Sequence, residues 1–169
     1  MKAAINNLRL KRKDEGFTLV ELLVVVVIIG VLVAIAIPMY GSYRKGAANK
    51  SAQSDVRGGI TAVEQYYAEN GNTYPTAVTG GTANTALSFA AQSNGTAGTA
   101  TVSPGNELYF STGNATTSGG GATYYVLCAM NTDSKVFYGY NSAFGSSVHK
   151  SEGQTNAAAC VAAEKAHTP

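Results

Sequence analysis

The chain has 169 residues, enough for one domain, and with 45% hydrophobic and 13% charged residues it is apolar for a wholly soluble protein. Residues 1–16 carry five basic and two acidic side chains, so the net charge of +2 falls to −1 for the rest of the chain. The basic character therefore belongs to the amino terminus. This argues against a nucleic-acid-binding surface on the main body, and we predict no direct nucleic-acid binding.

An apolar run from Phe17 to Ile37, ended by Pro38, is the most distinctive stretch of the sequence. Its length matches the roughly 20 residues that a helix needs to cross a bilayer, and the basic residues before it are expected to stay in the cytoplasm. Glu21 lies inside the run, where an unpaired charge is costly. We therefore predict a membrane-spanning helix that carries a functional carboxylate.

Two other interpretations of this run are a secretory signal peptide and a simple anchor. A signal peptide ends in a small-residue cleavage site, and Ala34-Ile35-Ala36 has that form. Against it stand the length of the run, its interruption by Glu21, and an awkward mature start at Ile37-Pro38. A simple single-pass anchor explains the length but leaves Glu21 without a partner.

The stretch Gly16-Phe17-Thr18-Leu19-Val20-Glu21, after a short basic leader, resembles the amino terminus of type IV prepilins. The resemblance implies that prepilin peptidase cuts between Gly16 and Phe17, on the cytoplasmic side, and methylates the new Phe17 amine. The apolar helix then stays in the mature protein. In filaments of that family, the residue matching Glu21 meets the amino terminus of a neighbouring subunit, which implies a role for Glu21 in assembly.

The resemblance also implies an α+β fold, with a long N-terminal helix packed on a small antiparallel β-sheet head. In this division, residues 1–16 are the cleaved leader and residues 17–43 form the membrane and filament-core helix. The extracellular head, 44–169, comprises an amphipathic helix at 44–70, a variable loop at 71–122, and a β-hairpin with a disulfide-closed region at 123–169. Pro38, between Gly30 and Gly41, predicts a kink with curvature or local unwinding of the helix.

The amphipathic pattern in the second part of the helix places apolar residues on one face, at steps of three and four. These residues are Ala48, Ala52, Val56, Ile60, Val63 and Tyr67. We expect them to pack against the head, whereas Asp55 and Glu64 are assigned to other faces. The pair Gly58-Gly59 is expected to weaken the helix.

Further along the chain, short apolar patches at 86–91, 99–102 and 108–110 predict weak strands or loops. The β signal is clearer at 123–130 and 135–140, two runs rich in β-branched and aromatic residues. Four turn-forming residues separate these runs, which predicts an antiparallel hairpin. Its aromatic side chains are expected to pair across the strands. They are Tyr124, Tyr125, Phe137, Tyr138 and Tyr140.

Cys128 and Cys160 are the only cysteines, and both follow the predicted membrane helix on its outer side. An even pair in an oxidising compartment predicts a disulfide, which would hold the C-terminal tail on the sheet. The tail is alanine-rich and could also form a short helix. The two histidines, His149 and His167, and the scattered acidic residues match no catalytic or metal-binding motif, so we expect no enzyme activity, cofactor or metal.

The resemblance implies a major subunit of a type IV pilus, which polymerises with copies of itself through its N-terminal helix. Its partners would be prepilin peptidase and the pilus assembly machinery of the cytoplasmic membrane. The chain would first be a single-pass membrane protein with its amino terminus inside, and then part of an extracellular filament. One alternative is a minor pilin, or a pseudopilin of type II secretion or competence. Another is a membrane-anchored binding or adhesive domain that never polymerises.

Overall fold

The computed structural model describes residues 17–76, 86–91, 95–113, 124–145 and 147–166. It divides into two units, Met1–Ser42 and Tyr43–Pro169. The predicted leader, residues 1–16, lies outside the described residues, as does His167.

In the first unit, helix α1 begins at Leu19, and its bounds are Leu19–Glu69. The helix contains Pro38 and continues without interruption from Gly30 to Gly41, so the predicted local unwinding there is wrong. Proline removes a single backbone donor, and the flanking hydrogen bonds can hold the helix together. Nearby, the Ser42 hydroxyl donates to the Met39 carbonyl over 2.9 Å. The kink at Pro38 stays a prediction.

In the second unit, α1 packs on antiparallel sheet, and the predicted α+β fold is confirmed. Among the described residues, two strands pair as β1-β2 and four pair in the order β3-β4-β5-β6. The strands are β1 Leu87–Phe89, β2 Gly98–Ala100, β3 Asn106–Gly113, β4 Tyr124–Asn131, β5 Phe137–Asn141 and β6 His149–Ser151. A 3-10 turn, Ser142–Phe144, and helix α2, Ala157–Ala166, complete the described elements.

The apolar face predicted for the second part of α1 lies in the core. Ala52, Val56 and Val63 are fully buried, and Ile60 packs against the same cluster. The sheet contributes buried side chains that alternate along its strands, such as Leu108 on β3. The apolar residues at helical spacing on α1 and those at alternate positions on the strands therefore pack together in one core.

The expectation that Asp55 lies on a face of α1 away from the core is wrong. It is buried, and its carboxylate accepts hydrogen bonds from the Ser103 backbone N–H at 2.9 Å and the Ser103 hydroxyl at 2.7 Å. The Asn106 amide donates to the same carboxylate over 2.6 Å and to the Ser51 hydroxyl over 2.8 Å. Asn131 in turn donates to Asn106 over 2.7 Å. Several donors satisfy the buried charge, as burial of a carboxylate requires.

The predicted hairpin is confirmed as β4 and β5, with Met130 opposite Phe137. Tyr125 and Tyr140 form an aromatic pair across it, with ring centroids 5.7 Å apart. Burial raises the pKa of Tyr125 well above its ordinary value, and a hydrogen bond to Glu64 raises it further. The Tyr125 hydroxyl therefore keeps its proton, and it donates a hydrogen bond to the Glu64 carboxylate over 2.7 Å. This bond ties α1 to the sheet.

The predicted disulfide is also confirmed. Cys128 on β4 joins Cys160 on α2, and both residues are fully buried. Beside them, the Glu164 carboxylate lies where a Cβ at position 139 would overlap it, so Gly139 leaves the space that α2 needs. The Asn141 amide donates to the Glu164 carbonyl over 2.7 Å. The C-terminal tail is thus a helix held on the sheet by covalent and polar contacts.

Of the adjacent glycines of α1, Gly58 faces open space and Gly59 faces the core. We therefore predict that alanine has different effects on stability at the two positions. A Cβ at Gly58 would meet nothing within 4 Å, so Gly58→Ala is expected to raise the free energy of unfolding by about 0.5–1 kcal/mol. At Gly59 a Cβ would lie 3.2 Å from a methyl of buried Leu127 and 3.3 Å from one of Leu108. We expect Gly59→Ala to be less stable than Gly58→Ala by at least about 1 kcal/mol, because overpacking opposes the helix gain.

Chemical denaturation of the two purified variants, beside the unchanged chain, measures both effects. Equal stabilisation by the two substitutions would contradict the close packing of the helix on β3 and β4.

Candidate functional site

The amino terminus of α1 is built from two side chains that hydrogen bond to each other's backbone. The Thr18 backbone N–H donates to Glu21 Oε2 over 2.8 Å, and the Thr18 hydroxyl donates to the same oxygen over 2.9 Å. In return, the Glu21 backbone N–H donates to Thr18 Oγ1 over 3.2 Å. This reciprocal pattern is a capping box, which satisfies backbone donors that a helix start leaves free.

Sequence reasoning missed this second role of Glu21. The signal was present, because a Thr followed three residues later by a Glu, just before an apolar run, is the sequence pattern of a capping box. The carboxylate also lies at the positive end of the helix dipole, which favours a negative charge. Glu21 therefore orders the first turn of its own helix.

Among the described residues, no basic side chain pairs with the Glu21 carboxylate. Phe17 immediately precedes the cap and is 83% exposed. The structure thus brings Phe17, Thr18 and Glu21 to one helix end. Gly16, on the other side of the predicted cleavage point, lies outside the described residues.

The apolar part of α1 is exposed along its whole length. All residues from Phe17 to Ala47 are exposed, and large side chains such as Ile29 and Leu32 are 53% and 61% exposed. Among the described residues, this helix is long and apolar enough to cross a membrane. So large a continuous apolar surface requires a cover of lipid or of other protein chains.

The remaining predicted site residues lie further along α1 or in the head. Pro38 is inside α1, and Cys128 and Cys160 form the disulfide of the head. His149 contacts the buried Glu164 carboxylate, with Nε2 3.1 Å from Oε1, so it helps hold α2 on β6. The candidate site is therefore the amino terminus of α1 together with the exposed apolar helix that follows it.

Comparison with known families identifies this same stretch. The family model for the prokaryotic N-terminal methylation motif matches residues 11–37. The match includes the predicted cleavage point, Glu21 and the whole apolar run from Phe17 to Ile37.

Known proteins match over a little more than a third of the chain. Fimbrial protein EcpC of Eikenella corrodens is 42% identical over 62 residues, which cover 37% of this chain and 40% of that protein. Type II secretion system core protein G of Aeromonas hydrophila is 38% identical over 66 residues, which cover 39% of this chain and 46% of that protein. Type IV major pilin protein PilE1 of Neisseria gonorrhoeae is 40% identical over 58 residues, which cover 34% of this chain and 35% of that protein.

Each of these matches spans less than half the length of the relative. The motif, the relatives and the long helix on an antiparallel sheet all agree with the expectation from the sequence. Residues 11–37 of this chain therefore carry the prokaryotic N-terminal methylation motif, and over part of its length the chain is similar to a type IV major pilin and a type II secretion system core protein, which supports the expected resemblance to prepilins.

Proposed function

We propose that this chain is the major structural subunit of a type IV pilus and has no catalytic role. The observation that carries the proposal is the exposed apolar helix with an ordered carboxylate at its amino terminus. Such a helix is suited to lipid before assembly and to the helices of other copies afterwards. The subunit is first anchored in the cytoplasmic membrane with its amino terminus inside, and it then enters an extracellular filament.

Processing supplies the missing partner of Glu21. Cleavage by prepilin peptidase after Gly16 creates a cationic amine on Phe17, and the carboxylate of a neighbouring copy pairs with it. The cost of a charge in an apolar environment falls when an opposite charge lies beside it. The pilus assembly machinery of the membrane then adds subunits for which this pair can form.

A second candidate is a minor pilin, or a pseudopilin of type II secretion or competence. The 38% identity to a type II secretion system core protein favours this alternative. Both candidates use the same helix and the same carboxylate. They differ in how much of the fibre this chain provides.

The test combines mass spectrometry of the mature chain with negative-stain microscopy of material sheared from the cell surface. We expect a mature chain that begins at Phe17 with one additional methyl group, and fibres composed mainly of this protein. Trace incorporation into fibres would favour the second candidate. An unprocessed monomer would contradict both, and would point instead to an anchored binding or adhesive domain.

A further inference from the structure

The second unit begins with a cluster of exposed basic side chains on α1. Arg44, Lys45 and Lys50 are all exposed. Between residues 43 and 63, the only acidic residue of α1 is Asp55. Its carboxylate is buried and already accepts hydrogen bonds from backbone and side-chain donors. The surface of these first turns therefore presents positive charge and no carboxylate from α1 itself.

The turn between β4 and β5 extends this cluster. Arg44 Nη2 lies 2.9 Å from Asp133 Oδ2, and this ion pair joins the turn to the helix. Lys135 follows two positions later and is exposed. Among the described residues, no ion pair involves Lys45, Lys50 or Lys135. We define the basic end of the head as Arg44, Lys45, Lys50 and Lys135. With the charge of Asp133 included, its net charge is +3.

The exposed carboxylates that α1 contributes to the head lie at the opposite end of the helix. Glu64 and Glu69 are exposed and follow Arg44 by 20 and 25 residues, which is about 30 Å and about 38 Å along the axis at 1.5 Å per residue. These distances exceed the screening length of about 8 Å in physiological salt. The acidic residues therefore do not cancel the charge of the basic end, and an anionic surface attracts that end alone.

The basic end follows the apolar run directly along the chain. Arg44 comes seven residues after Ile37, and α1 is continuous over this stretch. Seven residues of helix rise about 10 Å, whereas one headgroup layer of a bilayer is about 5–8 Å thick. The long stems of arginine and lysine allow their charges to reach polar groups several Å away. Tyr43, which is 78% exposed, is of the amphipathic aromatic type that is enriched at the membrane interface.

We propose that the basic end of the head binds the phosphate groups of anionic lipids on the outer face of the cytoplasmic membrane. The inference rests on the membrane-anchored stage of the proposed function and adds a lipid contact to it. Anionic headgroups complement a net charge of +3, whereas zwitterionic headgroups supply no net charge to attract it. The contact exists while the subunit is in the membrane and is released when the subunit enters a filament.

An open recess at this end has room for a headgroup. Its volume is about 380 Å³, and it is lined by Tyr43, Gly46, Ala47 and Lys50. Gly46 and Ala47 are small, so they leave the space between the Tyr43 and Lys50 side chains open. A phosphate in this recess accepts charge-assisted hydrogen bonds from the Lys50 ammonium, and the Tyr43 hydroxyl is a further donor.

Lipid competition on the full-length chain tests the inference. The chain is purified in a neutral detergent and offered equal amounts of phosphatidylglycerol and phosphatidylcholine, and native mass spectrometry counts the lipids that it retains. We expect phosphatidylglycerol to be favoured by at least about fivefold, which is the contribution of one basic residue near an anionic surface. Lys45→Gln together with Lys50→Gln should remove most of this preference. Lys150→Gln, the same change on β6, should leave it within about twofold.

Asp133→Asn should change the preference in the opposite direction. It removes the exposed carboxylate next to the basic end and releases Arg44 from its ion pair. We expect the preference for phosphatidylglycerol to rise by at least about twofold. A purely structural role of these side chains predicts no such increase, so an unchanged or lower preference in this variant contradicts the inference.

Amine labelling in vesicles locates the contact. The full-length chain is reconstituted in vesicles of either lipid, and mass spectrometry measures the labelling of each lysine. At low salt we expect Lys45, Lys50 and Lys135 to react at least about threefold more slowly in phosphatidylglycerol, and Lys150 to react equally in both. In 1 M salt the screening length falls to about 3 Å, so the difference should disappear.

Flotation of the vesicles separates failure of this inference from failure of the proposed function. If the chain floats with vesicles of both lipids but shows neither the lipid preference nor the protection of its lysines, the inference is overturned and the proposed function stands. If the chain does not stay with the vesicles after an alkaline wash, it is not anchored in the membrane, and both are overturned.

Discussion

Chains with Glu21→Gln are expected to enter the membrane and to be processed, but to yield fewer than about one tenth of the filaments of the unchanged chain. Glutamine keeps a side-chain oxygen that can accept the Thr18 backbone N–H, a bond of 2.8 Å in the structure. It has no charge for the Phe17 amine of a neighbouring copy. The substitution therefore separates the pairing of charges from the capping of the helix. Filament counts from sheared surface material, set against the amount of processed subunit in the membrane, measure the effect.

Thr18→Ala is the matched control, because it removes the capping hydroxyl and keeps the carboxylate. We expect its filament count to remain within about threefold of the unchanged chain, since exposed caps affect mainly local helix stability. Glu21→Ala removes both functions and should be at least as defective as Glu21→Gln. Mass spectrometry must show a start at Phe17 in every variant. Abundant filaments from Glu21→Gln would refute the pairing.

The elements that sequence reasoning predicted well are those with a local signal. The apolar run of α1, the helix face around Val56 and Val63, and the hairpin of β4 and β5 each follow from a period in the residues themselves. Cys128 and Cys160 could be paired because they are the only two cysteines. In each case the decisive information lies within a few residues or in a simple count.

What sequence reasoning missed depends on contacts between distant residues. For residues 108–110 the sequence predicted only a weak strand or loop, whereas strand β3 spans Asn106–Gly113 and is ordered by its pairing with β4. Asp55 has the polarity of a surface residue, and its burial depends on Ser103 and Asn106, which are 48 and 51 positions away. No helix period can show that such partners exist.

Only part of the candidate site could be predicted from the sequence, and the reason differs from that for the fold. The position of Glu21 and the exposure of the apolar helix could be derived from the residues. The capping role of Thr18 could also have been derived, from its spacing to Glu21. The partner of the carboxylate in our proposal belongs to another copy, so it lies in no single chain.

Removal of the disulfide is expected to have the largest effect on the stability of the head. The bond joins residues separated by 32 positions, and chain entropy assigns about 3–4 kcal/mol to a loop of this size. Cys128→Ala together with Cys160→Ala should lower the free energy of unfolding by that amount. Without the bond, α2 keeps polar contacts such as Lys165 to the Thr112 carbonyl, at 2.7 Å, and its apolar contacts with the sheet. Chemical denaturation of the full-length chain in detergent, followed by tyrosine fluorescence, measures the loss.

A reducing agent provides the matched control for the disulfide. It should destabilise the unchanged chain by nearly the same amount and leave the double alanine variant unaffected, because no other cysteine exists. The buried position of both cysteines predicts slow reduction in the folded state, so the reductant must be present during unfolding. Because α2 lies against β4 and β5, we expect filament assembly to tolerate the loss at low temperature and to fail on heating. A difference of less than about 1 kcal/mol between oxidised and reduced chains would mean that the contacts of α2 suffice without the covalent bond.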